Sequence, residues 1–135
     1  MLVVRLERLN DELSSHLGDF MIATEQLDLS LINGYLEALD IAVIQQMLDL
    51  YIQQSSLYLA AIDTAIVAED QKAWQEHCHK MKGSAASAGL SKVHQKLVVI
   101  EKSTEDWPVK TAHLRVLTEL NQQAIDVFQQ WLSDQ

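Results

Sequence analysis

The chain has 135 residues, 48% of them hydrophobic, and carries 19 acidic against 10 basic side chains, for a formal net charge of −9. This length and apolar content indicate a single domain over residues 1–135 with a substantial core, and they exclude a disordered tail. The acidic excess argues against nucleic acid and anionic membrane surfaces as partners.

Residues that break regular structure are few, with four glycines and one proline, and alternating β-branched runs are absent. A periodicity of about 3.6 residues dominates, which predicts an all-α fold. Charge interrupts the N-terminal segment too early for a signal peptide, and no apolar run approaches the ~20 residues that span a bilayer. The single cysteine, Cys78, excludes an intrachain disulfide and suits a reducing compartment. We therefore expect a cytoplasmic protein without direct membrane contact.

The first two predicted helices precede a bundle. A connecting helix over residues 1–18 has an apolar stripe that ends at Gly18, a plausible helix stop. The stripe consists of Leu2, Leu6, Leu9, Leu13 and Leu17. Asp28 can cap a short helix over residues 29–38, and the bundle itself is expected over residues 28–135.

Four further amphipathic helices are predicted. Asp40 can cap the first, the second covers about residues 70–88 and ends at Gly89, Ser91 can cap the third, and Pro108 suits the first turn of the fourth. Their inward-facing residues are Ile41, Ile44, Leu48, Tyr51, Ser55, Leu59, Ile62 and Ile66; Trp74, Cys78, Met81, Ala85 and Ala88; Leu90, Val93, Leu97 and Ile100; and Leu117, Leu120, Ala124, Val127 and Trp131. Short connections between them predict an antiparallel four-helix bundle with up-down-up-down topology, which the first two helices cap or extend.

The second of these helices carries His79, Lys82 and Gly83 within about one turn, so the lysine and the glycine both flank the imidazole. The imidazole can act as a nucleophile, the lysine can neutralise a phosphoryl group on it, and the glycine leaves room for another protein. If Cys78 and Met81 face the core, 100° per residue places His79 on one flank of that seam, semi-exposed.

Gly83 lies inside a helix, where glycine costs about 1 kcal/mol relative to alanine. Two explanations remain open, a cleared docking area beside His79 or close packing against another helix. The small residues that follow, among them Ser84 and Ala86, would extend a docking area. Lys82 should tune the reaction, since its attraction to a phosphoryl group at 4 Å is worth about 1 kcal/mol in water and about 4 when water is partly excluded.

Other combinations of residues are weaker. Glu76 and His79 have the spacing of half a di-iron motif, but no second copy exists, so we expect no metal site. His94 and Glu101 could border the His79 surface, although plain rim positions are the favoured interpretation. Cys78 is a second possible nucleophile beside the histidine.

The segment from His79 to Leu90 resembles the signature of the histidine-containing phosphotransfer (HPt) domain, His-x-x-Lys-Gly followed by small residues. The resemblance implies a phosphorelay intermediate that accepts a phosphoryl group on His79 from a receiver-domain aspartate and passes it to a response-regulator aspartate. Lys82 would neighbour the phosphate, and Gly83, Ser84 and Ala86 would receive the partner. The resemblance implies no cofactor on this chain, because the receiver supplies magnesium.

The chain lacks a glycine-rich phosphate-binding loop, so we expect no autonomous kinase activity. Domains of this family end several tripartite hybrid sensor histidine kinases, and the first helix looks like a connection from an upstream receiver. The resemblance therefore suggests the cytosolic end of an inner-membrane sensor kinase, the trimethylamine-oxide sensor type being one candidate, and a monomer as an isolated domain. Two alternatives stay open, a free-standing phosphotransfer protein and a non-catalytic helical adaptor whose His79 surface binds a protein.

Overall fold

A computed structural model describes residues 2–135, and these form six α-helices without any strand. The helices are α1 (Leu2–Gln26), α2 (Leu29–Ala38), α3 (Ile41–Val67), α4 (Gln71–Ser87), α5 (Ser91–Ile100) and α6 (Trp107–Ser133). Helices α3 to α6 form the bundle, in which α4 and α6 each pack against both α3 and α5. The predicted all-α four-helix bundle with two additional N-terminal helices is thus confirmed. Over residues 2–135, none of the helices has the length and apolar character needed to cross a membrane.

The core of the bundle consists of the inward stripes expected from the helical spacing. On α4, Trp74, Cys78, Met81 and Ala85 are completely buried, and the four predicted positions of the α5 segment are buried as well. Ile41 departs from the expectation, because it is the first residue of α3 and its side chain remains 44% exposed.

Helix α1 is longer than predicted, since it continues through Gly18 to Gln26. A helical glycine costs only about 1 kcal/mol, and burial of the apolar side chains of Ala23 and Leu27 at the far end outweighs it. Within α1, none of residues 2–17 is buried. The first helix is therefore anchored to α5 and α6 by its last turns, and its leucine stripe lies outside the core.

The helix starts agree with the sequence in part. The Asp28 side chain accepts a hydrogen bond from the Leu31 backbone N–H at 3.1 Å, as expected of a cap. Asp40 occupies the cap position of α3 but its side chain makes no capping hydrogen bond. Ser91 is the first residue of α5 and not its cap, because Leu90 holds that position. Pro108 lies in the first turn of α6, as predicted.

Gly89 makes the turn between α4 and α5. Its φ of +78° is in the left-handed region that favours glycine, and the Leu90 N–H donates back to the Ala85 carbonyl at 2.9 Å. The Gly89 carbonyl in turn accepts from the Asp28 N–H at 2.8 Å, which joins the start of α2 to this turn. A Cβ atom at Gly89 would lie 2.9 Å from Cγ1 of Ile32, so both backbone and space require glycine here.

We expect Gly89→Ala to lower the free energy of unfolding by about 1–2 kcal/mol, because alanine adds left-handed strain and crowds Ile32. Gly34→Ala is the matched control, since Gly34 is inside α2 and a Cβ there meets no atom within 4 Å. It should leave stability unchanged or raise it by up to about 1 kcal/mol. Urea denaturation of both variants measures the difference, and a Gly89→Ala protein as stable as the wild type would contradict this account.

Candidate functional site

His79 lies on α4 immediately after Cys78, whose side chain is completely buried. The imidazole itself is 71% exposed, so it stands further out of the bundle than the expected semi-exposed position. Lys82, three residues later, keeps 24% of its side chain accessible. The helix therefore presents the histidine to other molecules while the lysine lies partly against the protein surface.

Glu101 reaches the same place from the end of α5. Ile100 before it is completely buried, and its carbonyl accepts a hydrogen bond from Trp74 Nε1 at 3.0 Å. This contact fixes the end of α5 against the first turn of α4. The Glu101 side chain is only 8% exposed as a result, and it points to the donors on α4.

The two carboxylate oxygens of Glu101 each contact one of these donors. Oε1 lies 2.5 Å from Nδ1 of His79, and Oε2 accepts from Nζ of Lys82 at 2.8 Å. Burial by itself would raise the pKa of Glu101, but the hydrogen bonds and the positive charges of Lys82 and His79 outweigh burial and hold that pKa below its ordinary value. The carboxyl group is therefore ionised at neutral pH.

An ionised carboxylate only accepts hydrogen bonds, so Nδ1 of His79 must carry the proton. In a neutral imidazole the other nitrogen, Nε2, then holds the lone pair. The arrangement therefore selects the tautomer of His79 that has its proton on Nδ1 and its free lone pair on Nε2.

Gly83 follows Lys82 on an exposed part of α4. A Cβ built at this position meets no atom within 4 Å, so no other helix of residues 2–135 packs against it. Packing against any part of residues 2–135 is thus excluded as the reason for this glycine. Ser84 is half-buried and Ala86 is exposed, which leaves a low surface over the turns after His79.

A shallow, mostly apolar groove adjoins these small residues. It has a volume of about 170 Å³ and lies between α3 and α4. Its lining residues are Met47, Leu50, Tyr51, Gln54, Ser84, Ser87 and Ala88. The Leu50 side chain is 54% exposed there, so the groove offers apolar contact next to the cleared helix face.

A family model of the Hpt domain matches residues 46–131. The chain belongs to the Hpt domain family. A solved structure with a similar fold is the histidine-containing phosphotransfer domain of ArcB from Escherichia coli, with a TM-score of 0.74 and 23% sequence identity, covering 83% of this chain and 97% of that chain. The search of curated proteins found no match. The chain is accordingly a histidine phosphotransfer domain of phosphorelay signalling, a class that interacts with receiver domains.

Two sequence predictions about this Hpt domain need correction. The sequence favours a rim position for Glu101, yet the residue is buried and binds both His79 and Lys82. The signal was available, because Glu101 follows Leu97 by four residues and so falls on the inward stripe of its helix, where an acidic residue needs partners. Cys78 is no competing nucleophile, since burial and the nearby Glu101 charge raise its pKa to about 12.

The remaining histidines of the Hpt domain stay outside this arrangement. Nδ1 of His94 lies 3.4 Å from the Lys82 carbonyl oxygen, a distance at the limit of hydrogen bonding. His94 is therefore a rim residue, as favoured from the sequence. No group of three or more potential ligands that could hold a metal ion occurs within residues 2–135.

Because the pKa of Glu101 is lowered in the folded protein, its charge stabilises the fold above the unfolded-state pKa, and this contribution is lost as pH falls through the folded-state pKa. The advantage in unfolding free energy of the wild type over Glu101→Gln should therefore be greatest at neutral pH and shrink as pH falls below about 4.5. Chemical denaturation across this pH range measures it. Glu119→Gln makes the same change at an exposed site of α6 and is the control. If the unfolding free energies of the wild type and Glu101→Gln differed by the same amount at every pH, the conclusion that this carboxylate is paired in the folded protein would be wrong.

Proposed function

We propose that His79 is the residue of this Hpt domain that carries the phosphoryl group, and that Nε2 is the atom phosphorylated. The observation that carries the proposal is the 2.5 Å contact between Nδ1 of His79 and the buried carboxylate of Glu101. This contact supports Nε2 as the nucleophile because it holds the imidazole proton on Nδ1 and leaves the lone pair on Nε2. The exposure of the imidazole, 71%, supports access by a partner protein.

The proposed step balances without a cofactor on this chain. The Nε2 lone pair attacks the phosphorus of a receiver's aspartyl phosphate, an N–P bond forms, and the P–O bond to the aspartate breaks with the electron pair leaving on the carboxylate. The imidazole ring then carries a positive charge with its proton at Nδ1, and the Glu101 carboxylate stabilises that charge. Transfer to a second receiver reverses the same step. Magnesium is expected on the receiver.

Lys82 is proposed to compensate the charge of the phosphoryl group. Its ammonium already lies 2.8 Å from the Glu101 carboxylate, so a cation is held one turn from the imidazole before any phosphate arrives. Its attraction to a phosphoryl group at 4 Å is worth about 1–4 kcal/mol, depending on how far the docked partner excludes water. This supports an assisting role for Lys82 beside the nucleophile.

Gly83, Ser84 and Ala86 are proposed to form the surface that a receiver covers. The open space at Gly83 and the adjoining groove with Leu50 support this, since together they offer a flat, partly apolar patch next to the nucleophile. The receivers themselves are proposed to be one from a hybrid sensor kinase and one from a response regulator, with this domain as the cytoplasmic C-terminal part of such a kinase.

We expect His79→Gln to abolish phosphoryl acceptance from a phosphorylated receiver while melting stays nearly unchanged, because the side chain is mostly exposed and the Glu101 carboxylate keeps Lys82 as its partner. His77→Gln is the matched control on the same helix and should still accept. Radiolabel transfer from a panel of receivers measures acceptance, and thermal unfolding by circular dichroism measures the fold.

The same mixture with ATP and magnesium in place of the receiver should leave the wild type unlabelled. Label that persists in His79→Gln, or that is lost only in His77→Gln, would show that another residue carries the phosphoryl group. A wild-type protein that binds receivers but is labelled by none of them would favour the adaptor function instead.

Gly83 tests the docking surface separately from the chemistry. Gly83→Ala should raise the free energy of unfolding by up to about 1 kcal/mol, because the position is open and alanine restricts the unfolded chain. Gly83→Gln should fold but accept phosphate at least ~10-fold more slowly, since a long side chain one turn from His79 holds the receiver aspartate out of reach.

Gly34→Gln makes the same replacement at an open position of α2 and should transfer at the normal rate. Melting temperature and transfer rate are measured on the same preparations. A folded Gly83→Gln protein with the wild-type rate would remove Gly83 from the docking surface.

A further inference from the structure

The N-terminal half of α1 displays an apolar stripe that the bundle does not cover. Its members are each more than half exposed: Leu2 at 73%, Leu6 at 55%, Leu9 at 53% and Leu13 at 65%. Monomeric proteins rarely leave a contiguous apolar patch of this kind in water. A helical segment of this length without tertiary contacts is also only marginally stable by itself.

The first four leucines of the stripe, Leu2, Leu6, Leu9 and Leu13, are spaced by four, three and four residues, which is the a and d pattern of a coiled coil. In this register Leu6 and Leu13 are a positions, and Leu2 and Leu9 are d positions. The flanking g positions have opposite charges, since Arg5 is one of them and Glu12 is the next. This face of α1 therefore combines apolar a and d positions with charged g positions, as in a helix that pairs with another helix.

The distribution of charge along α1 favours an antiparallel partner of the same sequence. Residues 2–9 contain Arg5, Glu7 and Arg8, whereas residues 10–17 contain Asp11 and Glu12 and no Lys or Arg. Two parallel copies would place the acidic parts together. Two antiparallel copies place the basic part of each against the acidic part of the other.

We propose that two copies of this chain associate through antiparallel pairing of their α1 helices. Leu6 of each copy then faces Leu9 of the other, and Leu2 faces Leu13. Antiparallel helices bring g positions opposite g positions, so Arg5 of each copy meets Glu12 of the other, once on each side of the two-fold axis. A two-fold interface requires this kind of self-complementarity.

The register also separates the two bundles. Residues from Gly18 onward of one copy lie beyond the N-terminus of the other helix, so the bundles lie at opposite ends of the pair. Covering the stripe on both copies removes on the order of 1,000 Å² from water, which is the lower bound for a specific interface. The proposed pairing is therefore a weak, concentration-dependent association, in place of the monomer expected from the sequence.

Sedimentation velocity of the full chain, from low micromolar to submillimolar concentration, tests the proposal. We expect the weight-average mass to rise toward twice the monomer mass, and Leu6→Glu to weaken association at least ~10-fold, which is about 1.4 kcal/mol. Val4→Glu is the matched control, because Val4 is 52% exposed on the opposite side of the same helix. It should associate like the wild type.

Charge exchange tests the orientation of the helices. Arg5→Glu should weaken association, and adding Glu12→Arg should restore it, because the two residues are seven apart and meet only between copies. A wild type that stays monomeric at every concentration would overturn the proposal, and so would association that survives Leu6→Glu. A double variant no stronger than Arg5→Glu would overturn the antiparallel arrangement.

Discussion

The carboxylate of Glu101 is the group on which the arrangement of this site depends. It reaches from the end of α5 to two donors of α4 and contacts both within 2.8 Å. A buried carboxylate without partners is costly, so the imidazole and the ammonium are as necessary to Glu101 as it is to them. Without it, His79 and Lys82 would be two independent surface side chains, each free to adopt several rotamers.

The position of that carboxylate follows from the packing beneath it. Helix α5 has only ten residues, and it is held by a completely buried inner face and by the hydrogen bond from Trp74 to the carbonyl of Ile100. The left-handed turn at Gly89 sets the direction in which α5 leaves α4. The position of the Glu101 carboxylate is thus determined by the backbone turn and the buried core, and exposed residues contribute little to it.

Periodicity predicted most of the fold, because burial of a stripe at helical spacing is a local property of the sequence. It gave a wrong end for α1, since Gly18 resembles a stop and the contacts that extend the helix, at Ala23 and Leu27, come from distant segments. The motif on α4 identified His79 and its neighbours for the same local reason. Glu101 lies 22 residues from His79, so its role depended on how two helices pack, which spacing within one helix does not specify.

The exposure of His79 has a consequence for the lifetime of the phosphoryl group that we propose it carries. A phosphoryl group on an imidazole that is 71% exposed is in contact with water whenever no partner is bound. This chain therefore gives the N–P bond little protection from water, and the phosphoryl group is lost at close to the intrinsic hydrolysis rate of a phosphoramidate. Transfer to a receiver then competes with hydrolysis, so the concentration of free receivers determines what fraction of the phosphoryl groups is passed on.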